Sequence, residues 1–322
     1  HQGLCRGARL EFHRKRRSAD AAVACDTRGM ITDSIDWPAV SAALDAQGWA
    51  VAPGLLNTAE CLATSALYDR DQGFRSHVVM ARHGFGQGEY RYFSYPLPPM
   101  VQQLRAALYP NLAPLANRWH ERMGRAARFP ADHAAFLDRC HAAGQGRPTP
   151  LLLRYGPDDY NCLHQDLYGE HVFPLQAAVL LSQPGEDFEG GEFVITEQRP
   201  RMQTRVSVVP LRRGDAVVFA VNNRPVAGAR GDYQVKLRHG VSRLRSGRRH
   251  TLGVIFGRDL TAPAHVAAHR RMIVEAVRVW PTMTWSTSTV MPETRARAHS
   301  LGLRVMELPT LWDVDVPADL PR

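Results

Sequence analysis

Short apolar runs separated by glycine- and proline-containing turns fill the chain from Leu151 to Phe256. Runs of this length at even spacing are typical of strands in an antiparallel barrel or sandwich. The predicted turns are Pro184–Gly185, Gly190–Gly191, Arg213–Gly214 and Ala227–Gly231. The predicted strands span 151–155, 174–182, 192–196, 205–209, 215–221, 234–238 and 250–256. The pattern predicts a mainly β domain, a closed or two-sheet antiparallel barrel of the jelly-roll and cupin kind.

Helical patterns precede this β-rich region. Ser34 or Asp36 can cap a helix that runs through Leu44, with Pro38 in its first turn. Asn57 opens a second helix with a capping signature. Further helices are predicted around 99–109, 112–122 and 131–143, and short strands at 48–51 and 78–80. We expect these helices to brace one face of the barrel.

The chain divides into four predicted parts. Residues 1–29 are predicted to be a basic disordered extension, and residues 30–150 a mostly helical support region. Residues 151–259 form the predicted barrel domain. Residues 260–322 are a C-terminal extension of unknown role, in which an amphipathic helix over 264–279 is predicted. With 44% hydrophobic and 22% charged residues, the whole chain has the composition of an ordinary globular protein.

The chain is basic, with a formal net charge of +9. Its first 29 residues hold seven Lys and Arg against three Asp and Glu, which is +4 of that total. A basic surface favours polyanions through counterion release, without any sequence readout. The charge therefore makes nucleic acid a candidate partner, although charge alone does not identify one.

The cysteines and the apolar runs indicate a cytoplasmic protein. The five cysteines are odd in number and contain no C-x-x-C pair, which favours reduced thiols over a disulfide framework. No run approaches the ~20 apolar residues of a membrane span, and no signal-peptide core lies near the start. Cys162 stands two residues before a histidine, and we expect it to be a small buried hydrophobe and not a metal ligand.

A segment rich in glycine and aromatic residues, His83–Tyr95, has two possible roles. Its rings can pack back onto the domain as part of an ordinary loop. Alternatively, the segment is a lid over the functional site, in which Tyr90, Arg91 and Tyr92 contact a planar substrate such as a nucleobase. The sequence favours neither role over the other.

His164 and Asp166 are the first candidate metal ligands, because side chains at i and i+2 of a strand face the same side. A second histidine from another strand would complete a 2-His-1-carboxylate set, which leaves open positions and suits Fe(II). His239 is the preferred third ligand. His250 is its rival, but an arginine, Arg249, stands ten positions after His239 and none stands at that offset from His250. His171 is close in sequence but has no partner at a suitable spacing.

Arg249 lies at the start of the last predicted strand, where a guanidinium can bind a carboxylate in a bidentate manner. Tyr155, nine positions before His164, and Thr251, on the same strand face as Arg249, can contribute hydrogen bonds. Arg248 is the competing arginine, since a slip of one residue on a strand exchanges the two faces.

Together these residues resemble the 2-oxoglutarate- and Fe(II)-dependent dioxygenases. The resemblance rests on Arg154-Tyr155-x-Pro157, His164-Gln165-Asp166, the Glu189–Phe193 turn, and the block from Arg238 to Leu252. It implies a double-stranded β-helix, Fe(II) bound by His164, Asp166 and His239, and 2-oxoglutarate bound by Arg249 with Tyr155 and Thr251. It also implies oxidative decarboxylation of 2-oxoglutarate by O₂, coupled to C–H hydroxylation.

The resemblance extends from His164 through Phe256 to a bacterial branch described as oxygenases for oxidative demethylation of damaged nucleic acid. The spacing from Tyr155 to His164 is also similar to that of the AlkB-type repair dioxygenases. Alkylated nucleic-acid bases are therefore the predicted substrate. The ten-residue offset between His239 and Arg249 resembles prolyl 4-hydroxylases instead, so hydroxylation of a protein side chain is an alternative, with ascorbate as a possible reductant. A non-catalytic cupin-like metal-binding module is a more distant one.

Overall fold

The computed structural model describes residues 32–167, 171–229 and 231–259, together with positions 296 and 300. The predicted basic extension, residues 1–29, and the predicted helix over 264–279 lie outside the described residues. Within the described residues, no helix is both long enough and apolar enough to span a membrane.

The helices of the described residues are α1 (Trp37–Gln47), α2 (Thr58–Ser65), α3 (Pro99–Arg122) and α4 (His133–Ala142). The starts of α1 and α2 follow the predicted caps, Asp36 and Asn57. The Asp36 carboxylate accepts a hydrogen bond from the Ala39 amide at 3.0 Å. Asn57 and Glu60 form a reciprocal capping box, which satisfies two amides that the helix itself leaves unpaired.

The prediction of two helices over 99–109 and 112–122 is wrong, because one helix, α3, covers both. Pro110 and Pro114 lie inside it, and each interior proline costs roughly 3 kcal/mol. The apolar face nevertheless continues through both prolines. All four leucines of the helix are buried, and each contributes about 1.5–3 kcal/mol on burial: Leu104, Leu108, Leu112 and Leu115. Tertiary packing therefore outweighs the local preference for a break.

Seventeen strands occur in the described residues. They are β1 (Trp49–Ala52), β2 (Phe74–Val79), β3 (Gly86–Gln87), β4 (Glu89–Phe93), β5 (Arg147–Pro148), β6 (Leu151–Tyr155), β7 (Tyr160–His164), β8 (Leu175–Leu180), β9 (Phe188–Gly190), β10 (Phe193–Gln198), β11 (Arg205–Val209), β12 (Ala216–Ala220), β13 (Asn223–Gly228), β14 (Gly231–Val241), β15 (Leu244–Gly247), β16 (Arg249–Val254) and β17 (Arg258–Asp259). All seven predicted barrel strands are among them.

Two antiparallel sheets contain most of these strands. The large sheet has the order β1-β12-β8-β16-β6-β4-β2, and the small sheet has the order β11-β10-β14-β7-β3, with β13 paired to β14. Along the chain, β6, β8, β12 and β16 enter the large sheet, whereas β7, β10, β11 and β14 enter the small one. This alternation winds eight strands into a double-stranded β-helix, a jelly-roll variant. The predicted fold class is confirmed.

Strands also occur where a loop or linker was predicted. The aromatic segment His83–Tyr95 contributes β3 and β4, and β4 lies inside the large sheet between β2 and β6. The linker predicted at 144–150 contains β5. β7, which ends at the candidate ligand His164, was not among the predicted strands because its residues show no apolar alternation. Its partners in the small sheet hold it extended.

The helices cover the outer face of the large sheet. Leu152, Val179 and Leu252, which are aligned across β6, β8 and β16, share one hydrophobic core cluster with Leu104 and Leu108 of α3. Because neighbouring residues on a strand face opposite sides, the residues flanking these three point the other way, into the space between the sheets. That inner space holds the candidate site.

Candidate metal centre

His164, Asp166 and His239 converge between the two sheets. His164 is the last residue of β7 and is paired in register with His239 of β14. Asp166 follows two residues later, and its carboxylate oxygens lie 3.6 Å from His164 Nε2 and 3.4 Å from His239 Nε2. One potential donor atom from each of the three residues lies within 4.8 Å of the others. The structure thus brings together the three residues predicted as ligands.

Backbone and amide contacts orient the loop that carries two of these residues. The ring nitrogen Nδ1 of His164 lies 2.7 Å from the Cys162 carbonyl oxygen, which leaves Nε2 directed at the carboxylate. Gln165, between the two candidates, donates from Nε2 to Asn222 Oδ1 and to the Leu237 carbonyl, both at 2.7 Å. A hydrogen bond to the remote ring nitrogen is the usual support of a metal-binding histidine.

His239 is held among aromatic rings. Its ring centroid lies 4.6 Å from that of Phe219, 5.9 Å from that of Phe193 and 4.2 Å from that of His164. Burial lowers the pKa of His239, and His164 lowers it further, whereas Asp166 opposes the shift. A neutral imidazole is the form that binds a metal ion. Two imidazoles and one carboxylate fit Fe(II) and leave positions for other ligands, so this donor set suits the implied metal.

Arg249 and Thr251 occupy successive inward positions at the start of β16. Arg249 is 1% exposed, and its guanidinium donates to Thr251 Oγ1 at 2.6 Å. Its Nε has no hydrogen-bond partner, and no carboxylate forms an ion pair with it, in the part of the chain that the structure describes. Burial lowers the pKa of Arg249 to about 10, so it remains charged at neutral pH. A buried cation without an acid partner fits an organic acid as its ligand.

Tyr155 and Gly191 shape the surroundings of that guanidinium. Tyr155 is paired with Arg249 across β6 and β16, and its ring centroid lies 5.5 Å from the guanidinium carbon. Asn161 donates to the Tyr155 hydroxyl at 3.4 Å. Gly191 is the second residue of the predicted Gly190–Gly191 turn, in which both residues have positive φ. A Cβ at Gly191 would lie 3.1 Å from Arg249 Cδ, so this glycine also leaves room for the arginine.

One cavity of about 410 Å³ connects the two groups. The triad, Arg249, Thr251 and Tyr155 all line it. In the small sheet, His239 pairs with His164, and Val241, two residues on, pairs with Asn161, the neighbour of Tyr155. The triad and Arg249 therefore open into one continuous space.

Tyr90 and Tyr92 line the same cavity, but Arg91 does not. The two tyrosine rings meet nearly perpendicularly, with centroids 5.4 Å apart. Arg91 lies on the opposite face of β4, where it donates to the Arg70 carbonyl at 3.0 Å and lies over the Tyr68 ring. The three residues grouped as a lid are therefore split by strand alternation, and the two tyrosines belong to the wall of the cavity.

The competing candidates lie elsewhere. Arg248 is exposed, and His250 faces outward near the ring of Tyr68, where burial lowers its pKa to about 4. His171 lines a separate small cavity, which also touches Asp166. Cys162 is exposed, so the expectation of a buried position is wrong. Three residues of its strand, β7, are exposed: Tyr160, Cys162 and Leu163.

Sequence reasoning missed Gln165, Asn222 and Gln176 as parts of the site. Gln176 is 4% exposed and lines both cavities. A signal was present for Gln176, because it is the one polar residue within the buried strand Leu175–Leu180. A polar group in such a strand needs a partner, which marks it for attention. The contact between Gln165 and Asn222 spans 57 residues and has no local signal.

One protein-family model matches residues 88–259, more than half of the chain. The description of this family, Oxygenase-NA, reads "Oxygenase, catalysing oxidative methylation of damaged DNA". The matched range includes the triad, Arg249, Tyr155 and both cavity tyrosines.

Among curated proteins, an uncharacterized protein found in two strains of Mycobacterium tuberculosis is 48% identical over 164 residues. The match covers 51% of this chain and 70% of the relative. A prolyl-4-hydroxylase structure from Pseudomonas putida has 17% identity, a TM-score of 0.43, and coverage of 70% of this chain and all of its own. A 2OG-Fe(II) oxygenase family oxidoreductase from Burkholderia pseudomallei has 17% identity and a TM-score of 0.42, with coverage of 74% and 96%.

Proposed function

The chain belongs to the Oxygenase-NA family, and from that membership we propose that it is an Fe(II)- and 2-oxoglutarate-dependent dioxygenase that oxidatively demethylates alkylated nucleic-acid bases. Membership confirms the prediction of an oxygenase. The metal, the cosubstrate and the substrate belong to the proposal.

The observation that carries the proposal is the buried Arg249 guanidinium, which has no salt-bridge partner among the described residues and lines the same cavity as a His-Asp-His triad. His164, Asp166 and His239 would hold Fe(II) on one side and leave its other side open to the cavity. Arg249 would bind the distal carboxylate of 2-oxoglutarate, with Thr251 orienting the guanidinium through the hydrogen bond at 2.6 Å. Tyr155 closes this end of the cavity and keeps water from the salt bridge.

When bound, Fe(II) and 2-oxoglutarate supply activation of O₂, with one oxygen atom entering succinate as CO₂ is released and the other entering a substrate C–H bond. Hydroxylation of an N-methyl group gives an N-hydroxymethyl group, which breaks down to formaldehyde and the unmethylated base; from a cationic base such as 1-methyladenine a proton is released as well. The protein's contribution is to orient the methyl group toward the open side of the metal. Apolar walls such as Leu151, Leu153 and Ile255 separate that region from bulk water.

Three observations support a nucleic-acid base as substrate. The family description names damaged DNA, and the cavity wall carries two tyrosine rings that offer flat contact surfaces. The net charge of +9 favours approach of a polyanion.

A second candidate, hydroxylation of a prolyl or other protein side chain, is favoured by the ten-residue offset between His239 and Arg249. The same metal and cosubstrate geometry serves both reactions. The two candidates differ only in the group presented to the open side of the metal, so product analysis separates them.

The test is turnover of the full chain with Fe(II), 2-oxoglutarate and ascorbate. Succinate release measures the shared chemistry. Formaldehyde release from single-stranded DNA containing 1-methyladenine measures demethylation, and hydroxyproline formation in a proline-rich peptide measures the alternative. We expect succinate and formaldehyde in equal amounts. If no substrate pool gives succinate release, and a variant that lacks Arg249 behaves as the wild type does, a non-catalytic metal-binding module is favoured instead.

A further inference from the structure

Gln176 of β8 is a buried polar side chain for which the site described so far has no use. It is 4% exposed, and no hydrogen bond to its side-chain amide occurs within the described ranges 32–167, 171–229 and 231–259. The amide is not one of the fully buried polar atoms that lack a partner, so it is accessible from the cavity that Gln176 lines. A fold retains such a group where a ligand or a water molecule completes its hydrogen bonds.

The register of the large sheet places Gln176 at the level of the triad. Gln176 pairs with Phe219 of β12, and the Phe219 ring lies 4.6 Å from the ring of His239. On its other side, Ala177 pairs with Val254, so Gln176 lies beside Ile255. Arg249, in contrast, stands at the opposite end of β16. The amide therefore lies at the far end of the cavity from the proposed carboxylate site.

The inner face of the large sheet near Gln176 carries small residues and, further along, two aromatic rings. Ala178 and Gly253, the next inward pair toward Arg249, carry almost no side chain. Further along the same row of the large sheet, beyond Leu151, stands Tyr92, and Tyr90 lies next to it; Tyr92 belongs to one cluster with Leu151 and Ile255. The Arg75 guanidinium lies 4.3 Å from the centre of the Tyr92 ring on this wall and fixes it. The small side chains of Ala178 and Gly253 leave room for a flat ring beside the two tyrosines on this face of the sheet.

We propose that Gln176 is a specificity-determining residue that reads the edge of a flipped nucleobase held against Tyr90 and Tyr92. A glutamine amide presents a donor beside an acceptor, which is complementary to an adenine edge that presents N6–H and N7. This inference rests on the proposed function and names the contact that selects its substrate. A base methylated at N1 keeps N6–H and N7 free, so its methyl group can point toward the metal while the amide, at the level of the triad, holds the adjacent edge.

The experiment measures binding, with the full chain loaded with Mn(II) and N-oxalylglycine so that no turnover occurs. The probes are a labelled single-stranded oligonucleotide with one 1-methyladenine, the unmodified oligonucleotide and a proline-rich peptide. We expect Gln176→Leu to lower the affinity for the methylated oligonucleotide about tenfold, which corresponds to the loss of one well-made hydrogen bond. Its affinities for Mn(II) and N-oxalylglycine should match those of the wild type. Gln103→Leu, on the exposed face of α3, is the matched control and should bind all probes normally.

The other outcomes overturn the inference. Unchanged oligonucleotide affinity means that the amide only holds water, and loss of Mn(II) binding means that Gln176 supports the metal site. If binding of the peptide, and not of the oligonucleotide, is lost in Gln176→Leu, the substrate is a protein. If the Leu variant does not fold, Gln176→Met serves in its place, with thermal melting as the check. A wild type that binds neither Mn(II) nor N-oxalylglycine, or that binds both but no oligonucleotide, refutes the proposed function. A wild type that binds the methylated oligonucleotide, with a Gln176→Leu variant that binds it equally well, refutes only this inference.

Discussion

The Arg249 guanidinium and the Thr251 hydroxyl form a hydrogen bond of 2.6 Å between consecutive inward positions of one strand. It is the only side-chain hydrogen bond of Arg249 within the described part of the chain. A buried charge with so few contacts lowers stability, because desolvation is not repaid by a partner of opposite charge. The arrangement is explained if an acid ligand completes it.

Replacing Arg249 by Met tests that explanation. We expect the affinity for 2-oxoglutarate to fall about 100-fold or more, because truncating one side of a buried charge pair costs roughly 2–5 kcal/mol. The ligand-free protein should melt at the same or a higher temperature, since an unpaired buried charge is removed. Isothermal titration and thermal melting measure the two effects.

Arg248→Met is the matched control, because Arg248 is adjacent but exposed. Its affinity for 2-oxoglutarate should equal that of the wild type. Equal losses in the two variants would indicate a general effect of surface charge and would remove Arg249 from the site.

Asp166→Asn tests the metal site. We expect the variant to lose the thermal stabilisation that Mn(II) or Fe(II) gives to the wild type, because the carboxylate is the one anionic donor of the triad. At a metal concentration 100 times the dissociation constant, that stabilisation is about 2.7 kcal/mol. Asp158→Asn, an exposed aspartate paired with Arg243, is the control and should keep the full shift. A full shift in Asp166→Asn would place the ion elsewhere.

The parts of the site that sequence predicted are local in sequence or recognisable by order. His164 and Asp166 are two residues apart, and Arg249 follows His239 by ten residues. These spacings can be recognised as a sequence motif without knowledge of the fold. The barrel strands were predictable because β-branched and apolar runs end at Gly and Pro turns. The glycine turn at 190–191 was predictable because only glycine adopts such φ values at no cost.

The parts that sequence missed depend on neighbours distant in the chain. Arg91 was grouped with Tyr90 and Tyr92 because the segment was not recognised as a strand, and only strand alternation separates them. The continuity of α3 through Pro110 and Pro114 depends on the core that buries its leucines. The anchoring of Gln165 by Asn222 joins two loops that no periodicity relates.

That anchoring yields a third prediction. Gln165→Leu removes both hydrogen bonds of Nε2 while keeping the size of the side chain, so the turn between His164 and Asp166 loses its attachment to Asn222 and Leu237. We expect metal affinity to fall about 10- to 100-fold, as for other residues that orient metal ligands. Titration with Mn(II), followed by electron paramagnetic resonance, measures it.

Asn222→Ala should change Mn(II) affinity in the same direction, since it removes one of the two acceptors. Gln103→Leu, far from the cavity on α3, should leave it unchanged. If Asn222→Ala and Gln165→Leu both bind Mn(II) as the wild type does, the turn is held by other contacts and Gln165 has no positioning role.

The outward face of β16 gives a prediction about pH. His250 is paired with Arg154 and packs edge-on against Tyr68 at 6.2 Å. Burial, followed by the positive charges of Arg154 and Arg248, lowers the pKa of His250 to about 4, against opposing effects of Asp69 and Asp187. The unfolded chain protonates this histidine near pH 6.5, whereas the folded chain does not until about pH 4. Between those values the unfolded state binds more protons, so the free energy of unfolding falls as pH falls.

His250→Gln removes this proton uptake. We expect its free energy of unfolding, measured by urea denaturation at pH 7 and at pH 5, to fall less between the two values than that of the wild type. His141→Gln, at an exposed position of α4, should lose as much as the wild type and serves as the control. Identical pH slopes in the wild type and His250→Gln would mean that the imidazole takes up its proton in the folded protein at the same pH as in the unfolded chain. Its packing against Tyr68 and beside two arginines would then have to accommodate a cation.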